Sequence, residues 1–285
     1  MGKKISLIVP TYGRYKELEE LLASLAVQSC PADDFEVIIV DQNDKIDLAP
    51  AVEKYAARLD IVHKKVTEKG IARAKNTGLA MAKAPIVTFP DDDCTYYPDT
   101  IEKALKYLES DRETDIVYGR LYDRTTGKNI MRNWPADQKK VDIFNFHYTY
   151  SAITAFIRRN EIVFDTDFGV GSAYGIGEEL DYLLQTFKHK LTSNYTPYIE
   201  IWHPELNPNV MTDEKVYYYA RGYGAICKKH AGTAMILTLL LSMSFQFLLM
   251  VKWLVLFKKE LAKKRWLAFK GRLDGFFSYK GKPLK

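Results

Sequence analysis

Hydrophobic and polar positions follow two alternating periods along the first part of the chain. Ile5 to Pro10 is an apolar run broken only by Ser6, as in a strand buried on both faces, and Pro10 ends it. Thr11-Tyr12-Gly13-Arg14 reads as a turn, after which Leu18, Leu21, Leu22 and Leu25 recur at helical spacing. Phe35 to Val40 predicts a strand that stops at Asp41, Ala51 to Leu59 a helix, and Asp60 to Lys65 a short strand. Ile71 to Ala82, preceded by Gly70, predicts the next helix, and Ala84 to Phe89 the strand that it feeds. This β-α-β-α-β-α-β order predicts an α/β fold with a mainly parallel sheet flanked by helices on both faces. The strand ends at Thr11, Asp41 and Asp91 then share one edge, where such sheets take ligands.

Beyond residue 97 the pattern loosens. Pro98 to Ser110 predicts a helix with Pro98 near its first turn, and Asp115 to Tyr122 and Tyr148 to Ile157 predict strands. Residues 123–142 are polar, contain Gly127, Trp134 and Pro135, and read as an acceptor-side loop region. Phe164 to Gly177 is Gly-rich and irregular, Glu178 to His189 helical, and Thr196 to Trp202 a strand ending at His203-Pro204.

After Lys229 the character changes. Residues 231–251 carry no charge, about the length of a membrane span, although a buried core helix can have the same composition. Lys228 and Lys229 precede this stretch, and Lys252, Lys258, Lys259, Lys263, Lys264 and Arg265 follow it, so both flanks are drawn to the cytoplasm. Ser242, Ser244 and Gln246 near its middle predict a break, and hence a re-entrant or interfacial helical hairpin. Ala262, Trp266, Phe269, Leu273, Phe276 and Phe277 recur at helical spacing among Lys and Arg, as in a helix lying on an anionic membrane surface. The expected division is a catalytic domain over residues 1–228 and membrane-associated helices over 229–285.

Composition alters this picture mainly at the tail. With 47% hydrophobic and 27% charged residues the chain has the make-up of a folded protein. The net charge of +5 is concentrated in the C-terminal part, which points to an anionic membrane surface and not to nucleic acid. Cys30, Cys94 and Cys227 are widely spaced and odd in number, which predicts neither a disulfide framework nor a zinc site and suits a reducing cytosol. The chain opens on a strand without a leader pattern, so a secreted precursor is not expected.

The candidate chemistry starts at Asp91-Asp92-Asp93, where the fourth predicted strand stops. Three adjacent carboxylates repel one another, and a divalent cation held by oxygen ligands relieves that repulsion, although a solvated acidic turn has the same composition. Glu178 and Glu179 open a helix, where acids can serve as a general base or simply complement the helix dipole. Asp41 at a strand end suits either ligand reading or a helix N-cap.

Seven stretches then occur in a telling order. They are Ile8-Val9-Pro10-Thr11-Tyr12-Gly13-Arg14, Ile38-Ile39-Val40-Asp41, Gly70-Ile71-Ala72-Arg73-Ala74-Lys75-Asn76-Thr77-Gly78, Phe89-Pro90-Asp91-Asp92-Asp93, Phe164 to Gly169, Gly177 to Asp181, and Trp202-His203-Pro204. On these the chain resembles family 2 glycosyltransferases of the GT-A fold over about residues 5–225. The resemblance implies a Rossmann-like nucleotide-sugar-binding domain, inverting transfer from a nucleotide sugar (a UDP-sugar first), and Mn2+ or Mg2+ at a DxD motif. It implies Asp93 as a direct metal ligand with His203 at the metal or diphosphate, Asp91 nearer the ribose, and Asp92 assisting either. Pro10, Thr11, Tyr12 and Arg14 would bind the nucleotide, Asp41 would read the uracil or ribose, and Arg73 and Lys75 would face the nucleotide. Arg221 would contact the diphosphate from the C-terminal side. Glu179, where the family usually has Asp, or Glu178 would take the proton from the acceptor hydroxyl, its pKa raised by neighbours such as Asp181. The Gln-x-x-Arg-Trp motif of processive synthases is absent, which implies single addition.

The expected activity is therefore transfer of a sugar to a hydroxyl of a lipid-linked glycan in surface-polysaccharide synthesis, at the cytoplasmic face of the cell's inner membrane, with no nucleic-acid partner. A nucleotidyltransferase would carry a Gly-rich phosphate loop after the first strand, which Gly13 alone does not make. A non-catalytic nucleotide-sugar-binding protein would keep the fold and lose turnover.

Overall fold

The two-period alternation becomes layered structure. The computed structural model describes residues 2–205 and 211–281. In chain order it begins β1 (Ile5–Thr11), α1 (Lys16–Leu25), β2 (Phe35–Asp41), α2 (Ala49–Tyr55), β3 (Ile61–Lys65), α3 (Ile71–Met81) and β4 (Ile86–Thr88). β1 and β2 are buried throughout, and the buried face of α1 is Leu18, Leu21, Leu22 and Leu25. Ser6, the polar break in β1, donates to Glu36 Oε1 at 2.7 Å and accepts from the Ala84 amide, so its burial leaves no orphan.

The chain continues through β5 (Thr95–Tyr96), α4 (Thr100–Ser110), β6 (Ile116–Asp123), β7 (Lys128–Asn129), β8 (Lys139–Lys140), α5 (Phe146–Thr149), β9 (Ala155–Arg158), α6 (Glu178–Lys188) and β10 (Ser193–Trp202). The sheet order is β3-β2-β1-β4-β9-β6-β10-β5. β3, β2, β1 and β4 run parallel, β9 is antiparallel to both its neighbours, and β10 is parallel to β6. The register of β10 against β6 shifts between Tyr195 and Glu200, across Pro197, which has no amide to donate. A Cβ on Gly119 would stand 2.2 Å from the Ile199 carbonyl oxygen, so this crossing needs glycine.

The strand expected over Tyr148 to Ile157 is shorter, and a helical turn and a 3-10 turn precede it. Asp142 Oδ1 accepts from the Phe144 and Asn145 amides, and Asn145 Oδ1 accepts from the Asp142 amide. These local bonds favour a turn over the sheet ladder.

Three helices follow: α7 (Asp213–Lys229), α8 (Thr233–Val255) and α9 (Lys259–Ser278). Contacts group the chain into two units, Met1–Val163 with Thr186–Leu206, and Phe164–Gln185 with Asn207–Lys285. Within the second, α9 packs on α7 through small residues. A Cβ on Gly224 would fall 2.0 Å from the Arg272 carbonyl oxygen, and one on Gly275 1.9 Å from that of Arg221.

The break expected at Ser242 to Gln246 does not form, and α8 runs through it. The polar side chains are satisfied by α9: Ser242 Oγ accepts from Arg272 Nε at 2.7 Å, and Arg265 Nη1 donates to Gln246 Oε1 at 3.4 Å. The chain reverses later, after Val255. Lys258 N–H donates to Trp253 O and Phe257 N–H to Leu254 O, with Phe257 at φ 55° in the left-handed position that glycine usually fills. Among the described residues α8 alone is long and apolar enough to cross a membrane, and Leu237, Leu241, Phe245 and Leu248 on it are exposed. The stripe expected on α9 divides, with Ala262 buried and Trp266 and Phe277 exposed.

Candidate active site

The parallel register aligns Thr11 with Asp41 at the carboxyl edge of β1 and β2, and Asp91 follows β4 along that edge. Asp41 is fully buried. Its Oδ1 accepts from the Asn43 amide and Nδ2, both at 2.8 Å, and its Oδ2 lies 3.0 Å from His63 Nε2. Asn43 Oδ1 in turn accepts from the Gly13 amide at 2.6 Å, where φ is 79°. Both Asp41 oxygens are thus engaged inside the protein. Through Asn43 and the Gly13 amide, Asp41 also supports the loop that carries Tyr12. That ring is 60% exposed, with Lys69 Nζ 4.8 Å from its centre, and so offers an open aromatic face. Pro10 and Thr11 are buried behind it.

The three acids divide their work. Arg14 Nη1 bridges Asp92 Oδ1 at 2.7 Å and Asp93 Oδ2 at 2.6 Å. His203 Nε2 lies 3.3 Å from Asp93 Oδ1 and 3.7 Å from Asp91 Oδ2. Its Nδ1 is 2.7 Å from the Pro204 carbonyl oxygen, which can only accept, so Nδ1 carries a proton and Nε2 faces the two carboxylates, as a donor when the ring is charged and as a ligand to a cation when it is neutral. Donor atoms of Asp91, Asp93 and His203 all lie within 4.8 Å of one another. Asp93 Oδ1 is buried without an aligned hydrogen bond, its contact with His203 being one of charge.

Electrostatics follow from this crowding. Burial raises the Asp92 pKa against the pull of Thr11 and Arg14. Burial also opposes ionisation of Asp93, but His203 and Arg14 outweigh it and hold that carboxyl below its ordinary value. Burial disfavours the His203 cation, yet Asp91 and Asp93 overcome it and raise the imidazole to about 10. A proton on His203 occupies the place that a divalent cation would take. Two carboxylates, one of them with an unsatisfied buried oxygen, and one imidazole fit such an ion, with the mixed oxygen and nitrogen set suiting Mn2+ more than Mg2+.

Arg73 and Lys75 both stand on α3. Arg73 is 3.7 Å from Glu68 and lines a surface cavity of about 340 Å3 with Lys64 and Lys65. Lys75 is buried on α3.

In the second unit Gly177 adopts φ 117°, and a Cβ there would meet Ile226 at 2.6 Å, so glycine sets the start of α6. Glu178 is buried and Glu179 half-buried in its first turn. Asp181 is fully buried, with Lys229 Nζ at 2.8 Å and His230 Nε2 at 2.7 Å from Oδ1, while Gln185 Nε2 donates to Oδ2 at 2.8 Å. Lys229 also pairs with Asp165 at 2.5 Å. Burial opposes the Asp181 anion, but His230 and Lys229 prevail and lower its pKa. Asp181 is therefore a neutralised anion within this unit. Arg221 lies 5.1 Å from the centre of the Tyr174 ring in the same unit.

The sequence reading missed Asn43, His63, Lys229 and His230. For the last two a signal existed, since cations at the end of α7 complement a helix dipole.

Residues 6–176 match the family profile described as glycosyl transferase family 2. The poly(ribitol-phosphate) beta-N-acetylglucosaminyltransferase TarS of Staphylococcus aureus (strain Mu50) is 26% identical over 220 residues, covering 76% of this chain and 35% of TarS. The chain thus spans about a third of the length of that relative. Among solved structures, S. aureus TarS 1–349 superposes with a TM-score of 0.64 at 18% identity, covering 95% of this chain and 91% of that one. TarS 1–349 is also known with UDP and with UDP-GlcNAc, at TM-scores of 0.59 and 0.58. The mannosyltransferase PcManGT of Pyrobaculum calidifontis, in complex with GDP-Man and Mn2+, gives 0.64 at 18% identity over 96% of this chain and 88% of that one. At these identities the structural likeness is one of fold.

Proposed function

The chain belongs to glycosyl transferase family 2, and from that premise we propose that it is a metal-dependent inverting glycosyltransferase acting on a lipid-linked glycan. The observation that carries this reading is the convergence of Asp91, Asp93 and His203 around a buried carboxylate oxygen without a hydrogen bond, at the ligand-taking edge of a parallel sheet. The complexes of TarS with UDP and UDP-GlcNAc favour a UDP-sugar as donor.

Asp91, Asp93 and His203 would hold a divalent cation, which supplies charge neutralisation for the departing diphosphate. Arg14 keeps Asp92 and Asp93 compatible at close range. The exposed Tyr12 ring, on a loop pinned through Gly13 by Asn43 and Asp41, stacks on the base. Glu179, with Glu178 as the alternative, takes the proton from the acceptor hydroxyl as that oxygen bonds to the anomeric carbon and the bond to the diphosphate breaks. The exposed apolar side chains of α8 and the basic residues of α9 support work at the cytoplasmic face of a membrane, in surface-polysaccharide synthesis.

The test is a donor-hydrolysis screen with full-length protein, Mn2+ and a panel of nucleotide sugars, beside Asp93→Ala. Hydrolysis of one UDP-sugar that disappears in the variant is the expected result. Absence of both turnover and metal-dependent UDP binding would overturn the reading.

A further inference from the structure

Three helices of the second unit border a cavity of about 210 Å3. Its polar lining is Lys264, Arg265 and Arg272 from α9, Tyr219 and Tyr223 from α7, and Gln246 from α8. Among the described residues no Asp or Glu lines it, and the rest of the wall is apolar. Arg272 is fixed in place: Nε donates to Ser242 Oγ and Nη1 to Ala268 O, both at 2.7 Å, and the guanidinium lies 5.2 Å from the centre of the Tyr223 ring. Among the described residues Arg265 reaches only Gln246, at 3.4 Å. Burial and the nearby Arg265 both disfavour the Arg272 cation, and no carboxylate offsets them.

A partly buried guanidinium facing a like charge with no acid at hand is an unfavourable arrangement that a bound anion relieves. Arginine pairs suit phosphate oxygens, because each guanidinium offers a fork of donors. The cavity is smaller than the roughly 300–1,000 Å3 of sites that enclose a whole small molecule, so a headgroup fits inside and the remainder must lie outside. What α8 presents to the outside is apolar: Leu241, Phe245 and Leu248 are each more than half exposed.

We propose that this cavity binds the phosphate headgroup of a lipid, held by Arg265 and Arg272, with the acyl chain lying along the apolar face of α8. The site stands apart from sugar transfer, since a lipid seated here anchors the chain whether or not it accepts the sugar.

The experiment titrates the full-length chain with monomeric dihexanoyl phosphatidic acid at physiological salt, followed by calorimetry. Saturable binding is expected, and Arg265→Gln weakens it about tenfold or more, the loss of a charged hydrogen bond. Arg272→Lys, which keeps the charge and loses the fork, weakens it as well. Lys258→Gln combined with Lys259→Gln removes equal or greater charge outside the cavity and leaves affinity within about twofold at this ionic strength. Because Arg265 makes only one long contact, its variant is expected to melt as the parent does. Inorganic phosphate binding as tightly as the short-chain lipid would overturn the lipid assignment. Indifference to both arginine substitutions, or equal weakening by the lysine pair, would overturn the cavity itself. Donor hydrolysis by Arg265→Gln, unchanged from the parent, separates failure here from failure of the transferase reading.

Discussion

The molecule contains two clusters built from the same pieces, paired aspartates with a histidine, and they are finished differently. Asp165 and Asp181 meet Lys229 and His230, and Gln185 takes the remaining Asp181 oxygen. Asp91, Asp93 and His203 also converge, yet the cation that holds Asp93 is Arg14 from the far side, and Asp93 Oδ1 is left buried without a hydrogen bond. A fully satisfied cluster binds protein to protein, whereas one that is short of a cation has chemistry still to do. Residue types alone do not separate the two. Satisfaction does.

Lys229→Met is expected to have the largest effect. It leaves Asp165 and Asp181 without their shared cation and should cost about 3–5 kcal/mol in urea unfolding, with Mn2+ affinity unchanged. A cost near zero would mean that this cluster does not hold its unit together. Asp93→Ala should do the reverse, lowering donor turnover by about 10²–10³-fold at a smaller stability cost than Lys229→Met, because Arg14 keeps Asp92 and His203 keeps Asp91 as partners.

Asp181→Asn sharpens the contrast through pH. The native Asp181 pKa is depressed, so its contribution is present above the unfolded value of about 3.9 and is lost as pH falls through the lower native value. The variant should therefore be less stable than the parent by about 1–3 kcal/mol at neutral pH, with the gap closing in acid. A gap that stays constant to the acid end of the titration contradicts this assignment.

The smallest effect comes from making one substitution at both histidines. His230→Gln keeps a donor toward Asp181 and should cost about 1 kcal/mol or less. His203→Gln should weaken Mn2+ binding by about 10–100-fold, as measured by calorimetry, which His230→Gln should leave unchanged. Matching behaviour in the two variants would erase the distinction between the clusters.

The first half of the fold was legible because its signals are local. The apolar runs of β1 and β2 and the leucine spacing of α1 each lie within a few residues, and the order of elements fixes the strand-end edge. The candidate ligands Asp93 and His203 could be singled out, but Arg14 between Asp92 and Asp93, and Asp91 beside Asp93 and His203, depend on side-chain geometry. The support around Asp41 was hidden for a similar reason. His63 lies on β3, and only the β2–β3 pairing brings it to the carboxylate. The turn after α8 was hidden because Phe257 holds the left-handed position, where a glycine would have announced it. Ser242 and Gln246 suggested a break because their partners, Arg272 and Arg265, come from the next helix.

The most direct measurement is pulsed electron paramagnetic resonance of Mn2+ bound to the full-length chain with UDP present. Nitrogen modulation from one imidazole, lost in His203→Gln and retained in His230→Gln, is the expected result. Mn2+ bound without nitrogen modulation, or modulation that survives His203→Gln, would contradict the assignment of Asp91, Asp93 and His203 as the metal site.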